Sequence, residues 1–383
     1  MSGGTTPVIN STLAGVLSFL LREGPKYKLY TAPNGIEGVI KGQFNEINKN
    51  KEFINKAYKE PGSAITGTSR IGLLNEESLN LIDREFKRMQ FDFLINVGGN
   101  GTLQQSRHLS QYFGEKYLIA NCPKTVDNDL GDSEMEDVFF TPGFPSCINW
   151  WNKMLNFFNI ENKGAASHDK VLVLQTFGRE TGFISGAIGK NTIHEDYIVN
   201  MIPESSLTKE DYLELILKKI KIFERCIVII SEGHFSKELQ YNFDPVGQVQ
   251  FSSGKTTSAQ IFVDYLLKKG INSRCVIPGT MQRVFEKEVL DFDRELAFTQ
   301  GYECINQINK GKRNFLMTIS KNIGDELPIL GSINFKNKEK YSRKMSYNFF
   351  EDFGSENKYS EYLKKINLTK DLFKDFVNSK LEF

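Results

Sequence analysis

Apolar and polar residues alternate along this chain in two rhythms: short continuous apolar runs, and longer stretches in which apolar side chains recur every three or four positions. The runs predict strands over 27–30, 91–97, 117–120, 170–176, 197–202, 226–231, 273–277 and 316–319. The periodic stretches predict helices over 11–22, 75–89, 102–113, 182–189, 208–223 and 258–269. Asn10 or Ser11 is placed to cap the first, and Leu79, Ile82, Phe86 and Met89 make the apolar stripe of the second. Strand-length runs alternating with helices predict an α/β fold around a largely parallel, buried sheet. Two stretches break the rhythm. Residues 234–255 turn polar and irregular, which reads as a connection or a short hairpin insert, and the chain beyond 333, rich in Lys, Asn, Tyr and Phe, reads as a helical peripheral tail.

Composition narrows the class. Of 383 residues, 40% are hydrophobic and 12% aromatic, enough for a sizeable core in two domains. The 48 Lys and Arg against 47 Asp and Glu leave a net charge of +1, so no nucleic-acid-binding field is expected, only a local cationic pocket. No run reaches the roughly 18–20 apolar residues of a membrane span, and MSGGTTPVIN lacks a leader's charged and apolar regions, so a soluble, cytoplasmic protein is expected. Cys122, Cys147, Cys226, Cys275 and Cys304 form no CxxC pair and read as reduced thiols. His234 alone among the histidines lies near a suggestive loop, and none is assigned to catalysis.

Four motifs carry candidate chemistry. In GGNGT, Gly98 to Thr102, a glycine-rich turn joins a strand to a helix start, where backbone N–H groups and the helix dipole favour an anion; an ordinary tight turn would look the same. PKTVDND, Pro123 to Asp129, sets two aspartates beside Lys124 at a strand end, where one carboxylate can take a hydroxyl proton and the other hold a metal; an Asx-rich loop is the bland alternative. In QTFGRETG and RCVIPGTMQR, Arg179, Arg274 and Arg283 stand at strand ends, where a planar guanidinium fork suits a phosphate, although any one alone would read as a surface salt bridge. Gly3 and Gly4 resemble a phosphate-binding turn, yet no buried strand precedes them.

In this order, SGGTTPVIN, Thr68-Ser69-Arg70, GGNGT, PKTVDNDL, QTFGRETG, SEG and PGTMQR resemble the phosphofructokinase family from Ser2 to about Gly301, and the opening segment, PNGIEGVI and the PGF at Pro142 to Phe144 look most like its pyrophosphate-dependent branch. The resemblance implies two Rossmann-like three-layer domains with a cleft between them. The donor domain would comprise 1–138 with about 282–325, the sugar-phosphate domain 139–281, and the tail about 326–383. It implies transfer of a phosphoryl group from pyrophosphate to the 1-hydroxyl of fructose 6-phosphate with Mg²⁺. By position, Asp127 matches the general base, Asp129 its partner at the metal, Thr125 a residue at the transferred phosphoryl group, and Lys124 a lysine whose ammonium can hold the terminal phosphate of a short donor. Gly3, Arg70 and the turn Gly98, Gly99, Asn100, Gly101, Thr102 match the donor cradle. Phe177, Gly178, Arg179, Glu232, Arg274, Thr280 and Arg283 match the sugar-phosphate side. Lys170 matches a basic residue that reaches a neighbouring subunit's sugar phosphate, which implies a homodimer or homotetramer.

The chain departs from the family at four points. Asn100 replaces a frequent aspartate, so a metal held by Asn100 and Asp129 would meet one formal charge fewer. Lys124 is the pyrophosphate users' residue, whereas Gly101 leaves room for ATP. Thr280 replaces a larger sugar-contacting side chain, which leaves room for sedoheptulose 7-phosphate. The family's first strand is missing, so either a segment precedes Met1 or the fold forgoes that strand. The alternatives are an ATP-dependent enzyme or a catalytically weak regulatory subunit. A lipid-kinase or NAD-kinase reading rests on GGNGT alone.

Overall fold

The computed structural model describes all residues except 24–26, 48–49, 63–64, 240–241, 244–248, 252–255, 321–328, 336–340, 351–357 and 383. Parts of the expected insert and tail therefore lie outside the described residues.

The chain opens with helix α1 (Ile9–Arg22), and α2 (Glu76–Met89) leads into a parallel pair, β1 (Phe93–Gly98) and β2 (Leu118–Pro123), joined by α3 (Asn100–Phe113). It then leaves through α4 (Phe144–Ala165) to build a second sheet from β3 (Val171–Thr176), β4 (Ile198–Met201), β5 (Cys226–Ser231) and β6 (Ser273–Val276), ordered β6-β3-β5-β4 and parallel throughout. Helices α5 (Phe183–Ala187), α6 (Lys209–Phe223) and α7 (Ser258–Lys268) connect these strands. After α8 (Asp291–Asn309) the chain returns, adding β7 (Phe315–Ser320) parallel to β2 and β8 (Ile329–Asn334) antiparallel to β7, so the first sheet runs β8-β7-β2-β1.

Strand alternation splits each sheet between two cores. Leu118, Ala120 and Cys122 of β2 face α1 and α8, while Ile119 faces α2 and α3. Likewise Leu172 and Leu174 face the core of α4 and α5, and Val171 and Val173 that of α6 and α7. This gives two three-layer α/β units. Each fully buried phenylalanine, Phe183, Phe262 and Phe315 among them, stabilises the fold by about 1.5–3 kcal/mol. Helices α1 and α8 cross at backbone distance: a Cβ on Gly15 would sit 1.9 Å from the Phe298 carbonyl, and one on Gly301 2.0 Å from that of Thr12.

Two expectations change. The strand at 27–30 is reduced to Tyr30–Thr31, paired with Asn45–Glu46. The residues expected to form a peripheral helical tail instead supply β8, and helices α9 (Lys358–Leu368) and α10 (Lys374–Leu381) bury Tyr359, Tyr362 and Val377 in the cores of both units. A cavity of about 550 Å³ lies between β1, α1 and the segment 27–32. Ser2 N–H donates to the Val97 carbonyl at 2.9 Å. Among the described residues no helix is long and apolar enough to cross a membrane, and all five cysteines are free.

Candidate active site

A pocket of about 400 Å³ opens where the C-terminal ends of the parallel strands of both sheets converge, the position at which doubly wound sheets place ligands. Each motif reaches it by following a strand: GGNGT follows β1, Lys124 to Asp129 follow β2, Phe177 to Arg179 follow β3, Glu232 follows β5, and Thr280 and Arg283 lie in a short helical turn after β6.

The donor half is built largely from backbone. Gly99 caps α3 without a side-chain hydrogen bond, and no acidic residue occupies the first turn, so the amides of Asn100, Gly101 and Thr102 stay available to an anion. Gly98 ends β1 behind that turn, and its carbonyl accepts the Lys124 N–H at 3.0 Å. Gly3 is held against Arg70's neighbour through Gly3 N–H to Ser69 O at 3.0 Å, and Arg70 lines the same wall. Lys124 is buried, and its ammonium donates to the Gly4 carbonyl. Burial, with repulsion from Arg283, Arg70 and Arg179 set against the pull of Asp127, pushes its pKa down to about 7.

Between the halves lie the two carboxylates. The Asp127 N–H donates to Thr125 Oγ1 at 3.2 Å, a local turn that presents the carboxylate to the pocket. Burial and then the charge of Asp129 push the Asp127 carboxyl up to about 6, against Arg179, Arg283 and Lys124. Asp129 is buried, and its carbonyl accepts Asn100 Nδ2 at 3.1 Å, which draws the glycine-rich turn onto the aspartate loop. Two hard carboxylates that repel each other, with an amide oxygen nearby, suit a Mg²⁺ ion shared with substrate phosphates rather than an all-protein cage. No cluster of three or more His, Cys, Asp or Glu side chains able to hold a metal occurs among the described residues.

The acceptor half is built from guanidinium groups. Arg179 adopts φ +51°, its Nε lies 3.9 Å from Asp127 Oδ2, and its N–H donates to Glu232 Oε1 at 3.3 Å. Ahead of it Gly178 has φ +121°, and a Cβ there would sit 2.6 Å from the Thr181 carbonyl, so the turn requires glycine. Arg283 lies over the Phe177 ring at 5.0 Å, and burial lowers its pKa. Thr280 lines the wall beside it.

Lys170 and Arg274 are not brought to this pocket by the chain's own fold. Lys170 precedes β3 and Arg274 pairs with Leu172 near the start of β6, at the opposite end of the sheet and about 20 Å away along the strands. Arg274 instead forms ion pairs with Asp169 and, at 3.4 Å, Glu161. Sequence reasoning missed Phe251, a buried pocket-lining residue inside the irregular insert, where no pattern sets it apart from Phe235, Tyr241 and Phe243. It also missed Asn128, which Tyr362 and Arg343 of the tail reach.

Backbone amides on one side of a carboxylate pair and guanidinium groups on the other, at the strand ends of two doubly wound units, are an arrangement that suits phosphoryl transfer. The chain belongs to the phosphofructokinase family: residues 1–308 match the family described as Phosphofructokinase. A sulfofructose kinase of Alkalicoccus urumqiensis is 25% identical over 335 residues, 84% of this chain and 82% of that one. An ATP-dependent 6-phosphofructokinase of Thermotoga petrophila is 25% identical over 88% of this chain and 93% of its own. A pyrophosphate–fructose 6-phosphate 1-phosphotransferase of Rhodospirillum rubrum is also 25% identical, over 83% and 80%. The solved structure of a pyrophosphate-dependent phosphofructokinase from Nitrosospira multiformis, 24% identical, shares the fold with a TM-score of 0.79 over 94% of this chain and 89% of that one.

Proposed function

We propose that the chain transfers a phosphoryl group from pyrophosphate to the 1-hydroxyl of fructose 6-phosphate, yielding fructose 1,6-bisphosphate and phosphate. The observation that carries this reading is the position of Asp127, between a helix start with a buried ammonium on one side and Arg179, Arg283 and Glu232 on the other. Arg283 and Arg179 would hold the sugar phosphate, and Glu232 would accept from its hydroxyls. Asp127 would take the 1-hydroxyl proton as that oxygen attacks the donor phosphorus and the bond to the bridging oxygen breaks. The α3 amides, Gly3, Arg70 and Lys124 would neutralise the leaving phosphate, with Thr125 at the transferred group. Asp129 and Asn100 would hold Mg²⁺, which neutralises donor oxygens when bound; phosphofructokinase-family enzymes are generally Mg²⁺-dependent.

Lys124 supports pyrophosphate, because its ammonium lies at the floor of the donor half, where a short donor ends. Lys170 and Arg274 lie at the end of the second sheet away from the pocket, where in a homo-oligomer they would serve a neighbouring subunit's sugar phosphate. The test is to incubate the purified chain with Mg²⁺, fructose 6-phosphate and pyrophosphate and to measure both products. Equal amounts of fructose 1,6-bisphosphate and phosphate are expected. A folded protein that binds fructose 6-phosphate without turnover would overturn the reading in favour of a regulatory subunit.

A further inference from the structure

Asn128, between the two aspartates, is fully buried with φ +56°. Its side-chain oxygen accepts from Thr141 N–H at 3.1 Å and from Arg343 Nη2 at 2.7 Å, and its amide nitrogen donates to the Tyr362 hydroxyl at 2.8 Å. Arg343 Nε donates to the Asn128 carbonyl at 2.8 Å, and other guanidinium nitrogens donate to the carbonyls of Val138 and, at 3.4 Å, Phe139. The Arg343 N–H donates to the Asp129 carbonyl at 2.8 Å, and the Tyr362 hydroxyl to that of Phe139 at 2.8 Å. Arg343 is 1% exposed. Burying a charge is unfavourable unless it is well hydrogen-bonded, and the side-chain bonds of this one go to the stretch that carries the aspartates and folds back behind them.

The next two residues reach the acceptor half. Lys344 Nζ pairs with Glu180 Oε2 at 3.2 Å, and the Met345 N–H donates at 2.8 Å to Glu204 Oε1, which also accepts from Gly182 N–H at 3.1 Å. Glu180 belongs to the turn that aims Arg179, and Gly182 follows it as the N-cap of α5. Three consecutive residues thus tie the aspartate loop to the arginine turn across the 3.9 Å approach of Arg179 to Asp127.

We propose that Arg343, seconded by Tyr362, is a positioning residue for phosphoryl transfer: the segment 343–345 is a strap that fixes the Asp127 carboxylate against the acceptor side. The proposal rests on the reading of Asp127 as the base. Arg343→Met keeps an unbranched apolar stem and removes the guanidinium, whereas Tyr362→Phe removes one hydroxyl. On folded protein, kcat is expected to fall about 10²-fold in Arg343→Met and about 2- to 10-fold in Tyr362→Phe, with KM for both substrates nearly unchanged and partial recovery in Arg343→Lys. Amide hydrogen exchange supplies a readout independent of turnover. Residues 126–131 should lose protection in Arg343→Met while β3 and β5 keep theirs. An unchanged kcat in folded variants, or a uniform rise in exchange, would overturn the strap and leave Arg343 merely stabilising. If Arg343→Met does not fold, Tyr362→Phe decides by the same two readouts. If the unaltered chain turns over no donor, the functional reading fails by itself, and exchange at 126–131 still judges the strap.

Discussion

The two halves of the pocket offer an anion different partners. On the proposed donor side an anion would meet main chain at the start of α3 and at the Gly3 turn, with Lys124 buried beneath. On the acceptor side it meets Arg179, aimed by a left-handed backbone, and Arg283, laid on Phe177. Amides cannot be deleted by changing one side chain, whereas a guanidinium can. Donor binding should therefore be robust to single substitutions, and sugar-phosphate binding fragile.

The largest expected effect falls on the boundary. Asp127→Asn should lower kcat by about 10²- to 10⁴-fold while both substrates still bind; steady-state rates with equilibrium titrations check this, and loss of binding on one side alone would assign Asp127 to that half. Next, Arg179→Met should raise KM for fructose 6-phosphate about 10- to 100-fold and spare the donor. Lys124→Met should raise donor KM by a smaller factor, about tenfold. Equal KM penalties from the two substitutions would erase the contrast between the halves. The smallest effect is that of pH. Asp127 must be ionised to accept a proton, so kcat/KM should fall about tenfold per unit below about 6. Lys124 must be protonated to hold a phosphate, so kcat/KM should also decline above about 7. The basic limb should vanish in Lys124→Met and the acidic limb should persist.

The same contrast explains what could be read from sequence. Backbone-built sites leave glycines at fixed places after apolar runs, and the turn after β1 and the loop after β2 stand where those patterns put them. Parallel strands buried on both faces, such as β3 and β5, are equally legible. Helix α8 is not, because side chains are buried all around it, from Phe292 through Gly301 to Ile308, and no stripe survives. α4 hides for a related reason, with Trp150 and Trp151 buried side by side. Arg274 carries a phosphate-binder's chemistry, but its strand register sets it at the wrong end of the sheet for this chain's own pocket, a fact that only pairing reveals. Arg343 and Tyr362 lie more than 200 residues from Asn128 in sequence, and a stretch rich in Lys, Asn and Tyr gives no sign that it folds back onto the aspartate loop.

The donor is the most direct test of the central claim. With fructose 6-phosphate saturating and Mg²⁺ matched, kcat/KM should be measured for pyrophosphate and for ATP on the same preparation. The account predicts turnover with pyrophosphate and a far lower value with ATP. Turnover with ATP alone would contradict it and would place Gly101, not Lys124, as the residue that selects the donor.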